Sequence, residues 1–179
     1  MLQSLREQGV VRTWDDVVRP VLVASGSHWA QSGAGIEVEH VLSEAVLGAL
    51  RRHRSEMPAP EDRPPVLIAS TPGDQHSLML HALAAGLAER RQTSRVIGAQ
   101  VPVEALAAAA RRIRPGAIFV SCVMPGSVDV DELAAVMPRT RPRTLVVVGG
   151  AGWPEVLPGG FRFAATLDDA IGLLCGNSA

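Results

Sequence analysis

The sequence predicts an α/β fold: a small helical bundle followed by a flavodoxin-like (Rossmann-like) five-stranded parallel sheet with helices on both faces. Three observations carry this reading. Strand-like apolar runs at 66–70, 95–99, 117–122, 144–148 and 161–165 alternate with helix-forming runs at 76–91, 102–113, 129–137 and 167–175, which is the rhythm of βαβ units. The first fifty-odd residues show helical periodicity and no such alternation. Between the two, Met57-Pro58-Ala59-Pro60-Glu61-Asp62-Arg63-Pro64-Pro65 is proline-rich and charged, the composition of a linker. The expected domains are a helical cap at 1–57 and an α/β unit at 65–179.

Taken in order, Met1 to Gln8 reads as the end of an amphipathic helix with Gly9 as its cap. Thr13-Trp14-Asp15-Asp16 has the layout of a capping box with Asp in place of Glu, and predicts a helix to about Ala30, kinked at Pro20. Gln31-Ser32-Gly33-Ala34-Gly35 interrupts it. A further helix runs from Ile36 to about Glu56, with Ile36, His40, Leu47 and Leu50 near one face. Five parallel strands favour the order 2-1-3-4-5, whose switch point beside strands one and three is where open α/β sheets bind ligands.

Composition excludes several classes. With a net charge of −1 and no basic block longer than Arg51-Arg52-His53-Arg54, the chain alone is not expected to bind nucleic acid, and a DNA role would need another module. Cys122 and Cys175 have neither disulfide-framework nor zinc spacing, which suits a cytoplasmic protein. No apolar run reaches membrane-spanning length, and the N-terminus lacks a signal-peptide layout. There is no Walker loop, no dinucleotide glycine motif and no nucleophile set, so the chain is not expected to be an enzyme.

The candidate chemistry lies at Pro72-Gly73-Asp74-Gln75-His76, between strand one and its helix. Asp74 can accept the proton on one ring nitrogen of His76, which orients the imidazole and raises its basicity toward a metal. Gly149-Gly150 after strand four would let a bulky ligand approach the backbone. His53 and His81 read as exposed or packing residues. Asp129, Asp131 and Glu132 read as the start of a helix, Trp153 as loop packing, and Gly159-Gly160 as a turn.

Asp74-Gln75-His76, Ser121-Cys122-Val123 and Gly149-Gly150 together resemble the D-x-H-x-x-G, S-x-L and G-G pattern of base-off/His-on cobalamin-binding domains. The resemblance implies cobalamin as cofactor, His76 as lower axial ligand of its cobalt, Asp74 as that histidine's partner, Ser121 as a contact of the nucleotide tail, and Gly149 with Gly150 as space for it. Met79 stands where the family has glycine, and Val123 where it has leucine.

Trp29, nine residues, then Glu39-His40 is similar to the W-x9-E-H signature of the cobalamin-dependent photoreceptor regulators of the MerR family (CarH/LitR type). That likeness implies adenosylcobalamin, with Trp29 packed on its adenosyl group and Glu39 and His40 lining the same pocket. It also implies light-controlled conformational change acting on transcription, through a homo-oligomer or a separate DNA-binding regulator. The histidine that follows the tryptophan in described members is Ala30 here. The competing expectation is a corrinoid carrier subunit of a cobalamin-dependent methyltransferase.

Overall fold

β1 (Val66–Ser70) and β3 (Ala117–Ser121) are buried at every position, as strands covered on both faces must be. The computed structural model describes residues 1–137 and 144–176. β1 and β3 form the centre of a parallel sheet completed by β2 (Ser94–Gly98), β4 (Leu145–Gly149) and β5 (Phe161–Ala164), in the order β2-β1-β3-β4-β5. The expected fold and strand order hold, with boundaries moved by a residue or two. In register, Ser70 pairs with Ser121 and Ser121 with Gly149, so the last row of the sheet is built from small residues.

Alternation along the strands divides the core in two. On one face Leu67, Ala69, Ile118, Val120 and Val148 pack under α5 (Val103–Ile113) and α6 (Val130–Val136). On the other, Ile68, Phe119 and Val147 meet α4 (Leu78–Glu89), α7 (Leu167–Cys175) and the N-terminal helices in one continuous cluster. The helical unit and this face of the sheet therefore share a core. Among the described residues, no helix is long and apolar enough to cross a membrane.

The N-terminal helices are α1 (Leu2–Thr13), α2 (Arg19–Ser32) and α3 (Ile36–Glu56). Gly9 breaks α1 as expected, at φ 79°, a conformation that costs glycine little. The expected helix start at Thr13 is not found. Thr13 is helical and buried, and its hydroxyl lies 3.2 Å from that of Ser4 instead of capping a backbone N–H. The chain continues through a π-helical turn, Trp14–Val18, in which the Arg19 N–H bonds the Trp14 carbonyl. Pro20, just downstream, lacks an N–H and crowds the preceding turn, and widening the helix by one residue accommodates it.

The proline-rich 57–65 segment is held by hydrogen bonds to the turn after α4: Glu61 N–H to the Arg91 carbonyl at 2.9 Å, and Gln92 Nε2 to the Pro64 carbonyl at 3.0 Å. α3 lies along α4. Near the carboxyl end of both, His53 Nε2 is 2.8 Å from Glu89 Oε1, and Arg54 donates to the Ser94 carbonyl at 2.7 Å. Both helices end within a few residues of this pair, so their contact runs back from it with the two pointing the same way.

Candidate functional site

The turn after β1 builds the site around a buried carboxylate. Asp74 is 0% exposed, and three donors converge on it. Its Oδ1 accepts the His76 backbone N–H at 3.0 Å and lies 2.7 Å from His76 Nδ1. Its Oδ2 accepts the Val123 N–H at 2.6 Å, which ties the turn to the end of β3. The Ser70 hydroxyl donates to the Asp74 carbonyl at 2.7 Å and accepts the Gln100 N–H at 3.0 Å, fixing the turn from the β2 side.

His76 itself is 57% exposed on its side chain. A carboxylate at Nδ1 selects the tautomer with the proton there. Nε2 then carries a lone pair, and it has no hydrogen-bond partner among the described residues. This is the arrangement of an imidazole ready to bind a metal. Among the described residues, no group of His, Cys, Asp and Glu side chains forms a metal cage.

Ser121 lies beside Gly149 at the end of the sheet, on the face of Ala117 and Phe119. It is fully buried, and its hydroxyl has no hydrogen-bond partner among the described residues. An orphaned buried hydroxyl is costly unless something supplies a bond, and a polar group of a bound molecule would satisfy it.

The glycine pair is shaped by its protein neighbours. A Cβ on Gly149 would lie 3.1 Å from the Phe119 ring and 3.2 Å from the Ala164 carbonyl oxygen, and one on Gly150 would strike the Cys122 backbone. Gly150 also has φ 104°. Glycine is thus required at Gly150, and Gly149 has little room for a side chain within the fold. Met79 is half-buried and packs against the core shared with the helical unit. Trp153, as expected, folds the loop, with its indole N–H bonded to the Gly149 carbonyl at 3.0 Å.

Trp29, Glu39 and His40 lie on the α2–α3 hairpin. Trp29 is 47% exposed, and Val38 and Val41 nearby are also exposed. Glu39 is held on one oxygen by the Ser43 hydroxyl at 2.7 Å, and its other oxygen is 3.1 Å from His40 Nδ1. His28 sits over the hairpin turn, its ring 3.4 Å from where a Gly35 Cβ would stand. Among the described residues, no hydrogen bond or ion pair joins Trp29, Glu39 or His40 to Asp74 or His76.

Two features escaped sequence reading: the Val123 N–H on Asp74, and His53 as the bolt between α3 and α4.

The model of one family, described as B12 binding domain, matches residues 64–171. The chain belongs to the B12-binding domain family. The unpartnered Nε2 of His76 and the orphaned hydroxyl of Ser121 fit cobalamin at this site. A curated relative of this B12-binding chain is the HTH-type transcriptional repressor CarH of Myxococcus xanthus, 29% identical over 143 residues, covering 79% of this chain and 48% of the relative. The chain thus spans about half the length of that relative.

Two solved structures share the B12-binding fold. A cobalamin-binding protein from Desulfitobacterium hafniense DCB-2 superposes with a TM-score of 0.57 at 17% identity, over 88% of this chain and 78% of that one. A chain of the methanol:cobalamin methyltransferase complex MtaBC from Methanosarcina barkeri gives 0.55 at 16% identity, over 96% and 69%.

Proposed function

We propose that this B12-binding chain is a light-sensing regulatory protein that holds adenosylcobalamin between the α2–α3 hairpin and the His76 crevice, with 1–57 as the cap and 65–179 as the binding unit. When bound, adenosylcobalamin supplies a cobalt–carbon bond that light breaks. His76 Nε2 would hold the cobalt, and Asp74, fixed by the Val123 N–H, keeps the imidazole in the binding tautomer. The Ser121 hydroxyl hydrogen-bonds the nucleotide tail beside Gly149 and Gly150.

Trp29 covers the adenosyl group, with Glu39 and His40 beside it. These contacts exist only before illumination, so their loss shifts the hairpin against the sheet. The population of an oligomer, or of a form bound to a separate DNA-binding regulator, changes with it. The observation that carries this reading is the Trp29-x9-Glu39-His40 set on a hairpin whose Trp29, Ile36, Val38 and Val41 are exposed. The likeness to a relative named as a transcriptional repressor supports it.

The test is spectroscopic. Protein loaded with adenosylcobalamin in the dark should retain a bound corrinoid spectrum through gel filtration, and light should convert it irreversibly. His76→Ala should lose the retention. Failure of the wild type to retain corrinoid, or a spectrum that light leaves unchanged, would overturn the proposal.

A second reading, a corrinoid carrier subunit of a methyltransferase, is supported by the superposition on the MtaBC chain over nearly the whole length. In that case Trp29→Ala would leave the response of the bound corrinoid untouched, and the methylated form would be turned over by a partner enzyme. In neither reading is the chain itself catalytic.

A further inference from the structure

We infer that the end of the molecule opposite His76 is a binding surface for a nucleic-acid phosphate backbone. In a parallel sheet whose helices run against the strands, every helix ends beside the strands' amino termini. Here α3 brings Arg51, Arg52 and Arg54 to that end, α4 is followed by Arg90 and Arg91, and α5 ends in Arg111 and Arg112. Arg95 stands at the start of β2. Acidic side chains collect instead in the first turns of α3, α5, α6 and α7. The net charge of −1 averages two ends of opposite sign, which is why composition argued against such a partner.

Carboxylates at the arginine end are few and mostly engaged. Glu56 bonds Arg6 and Arg52, Glu61 bonds Arg63, Glu89 is held by His53 and the Val10 N–H, and Asp62 is exposed. Among the described residues, Arg51, Arg90, Arg91, Arg95, Arg111 and Arg112 have no carboxylate partner, and all six are exposed.

One cation per helix end would serve the helix dipole, and this end carries more. Their mutual repulsion is felt locally: burial, and then the neighbouring Arg95, lower the pKa of Arg54. An anion would relieve that repulsion.

The sequence has no lysine, and its permanent cations are all arginine, whose planar fork matches phosphate. The exposed large apolar residues, Met1 apart, lie on the N-terminal helices and hairpin, on β2 and β5, and in the loops after β3 and β4. None belongs to the helix ends that carry the arginines. A protein partner would need an apolar centre to bury, whereas a sugar–phosphate backbone is held by charge alone.

The test is fluorescence anisotropy of the full chain with a labelled 24-base-pair duplex of arbitrary sequence. Binding should be indifferent to sequence, present with or without corrinoid, and weakened about a hundredfold or more between 50 and 200 mM salt if about five phosphates are contacted. The Arg91→Glu/Arg112→Glu pair should bind at least about tenfold more weakly with a shallower salt dependence. Arg19→Glu/Ser27→Glu/Gln31→Glu, an equal change of net charge at exposed positions of α2, should bind as the wild type does. No binding at 50 mM salt, equal loss in both variants, or displacement of the duplex by polyglutamate at matched charge would overturn the inference. The corrinoid spectrum is read separately, so failure of the cofactor reading leaves this test intact.

Discussion

α4 is flanked at its two ends by the same pair of residue types in opposite arrangement. At its amino end Asp74 is fully buried and His76 largely exposed, with Nδ1 2.7 Å from the carboxylate. At its carboxyl end His53 is 3% exposed and Glu89 24%, at 2.8 Å. Burial of one partner or the other decides the use. A buried carboxylate saturated by donors holds an imidazole out toward solvent with a free nitrogen, which suits a ligand. A buried imidazole clamped by a carboxylate that also caps Val10 ties three helices together, which suits a joint.

The sharpest way to break this comparison is to remove each carboxylate in turn. Asn at position 74 can accept on one side only, leaving either His76 or the Val123 N–H facing a donor. Asp74→Asn should therefore cost about 1–3 kcal/mol of stability and reduce corrinoid affinity roughly 10- to 100-fold, measured by urea unfolding and by spectral titration. Unchanged affinity would show that Asp74 serves the turn alone.

At the other end, Glu89→Ala should cost about 1–3 kcal/mol through the stranded Val10 N–H and His53. Glu89→Gln should recover part of this, because its carbonyl oxygen can still accept. Affinity for corrinoid should stay within a factor of two or so of wild type; a loss as large as that of Asp74→Asn would erase the distinction between site and joint.

The smallest effect concerns His81, half-buried on α4 between these ends. Burial first, then Arg51 and Arg54, hold its pKa below the ordinary 6.5. The unfolded chain takes up this proton more readily than the folded one. Stability should therefore be undiminished above about pH 6.5 and decline as pH falls below it toward the lowered folded value. His81→Gln should flatten that slope in thermal melts between pH 7 and 5, and an unaltered slope would assign it to other groups.

What could be read in advance follows the distance over which each signal acts. The strands were legible because each is a short apolar run between turns, and Asp74 with His76 because two residues separate them at a strand end. Val123 reaches Asp74 from 49 residues away through a backbone N–H, a group every residue but proline carries, so nothing in the sequence marks it. His53 meets Glu89 across 36 residues, and local context, with Arg52 and Arg54 on either side, offered only an exposed or packing residue. Thr13 failed for the opposite reason. Its local capping pattern was clear, but its hydroxyl is buried against Ser4 across the Gly9 break, and tertiary structure overrode the local preference.

α2 contains no buried residue, although it carries Trp29. Leu22 is the α2 residue that packs against the core, so few other substitutions along the helix should threaten the stability threshold that constrains most of the chain. The surface proposed to meet the upper side of a cofactor can therefore diversify while the sheet and its histidine stay fixed. In evolutionary terms, such a lineage can change what it responds to without renegotiating how it folds.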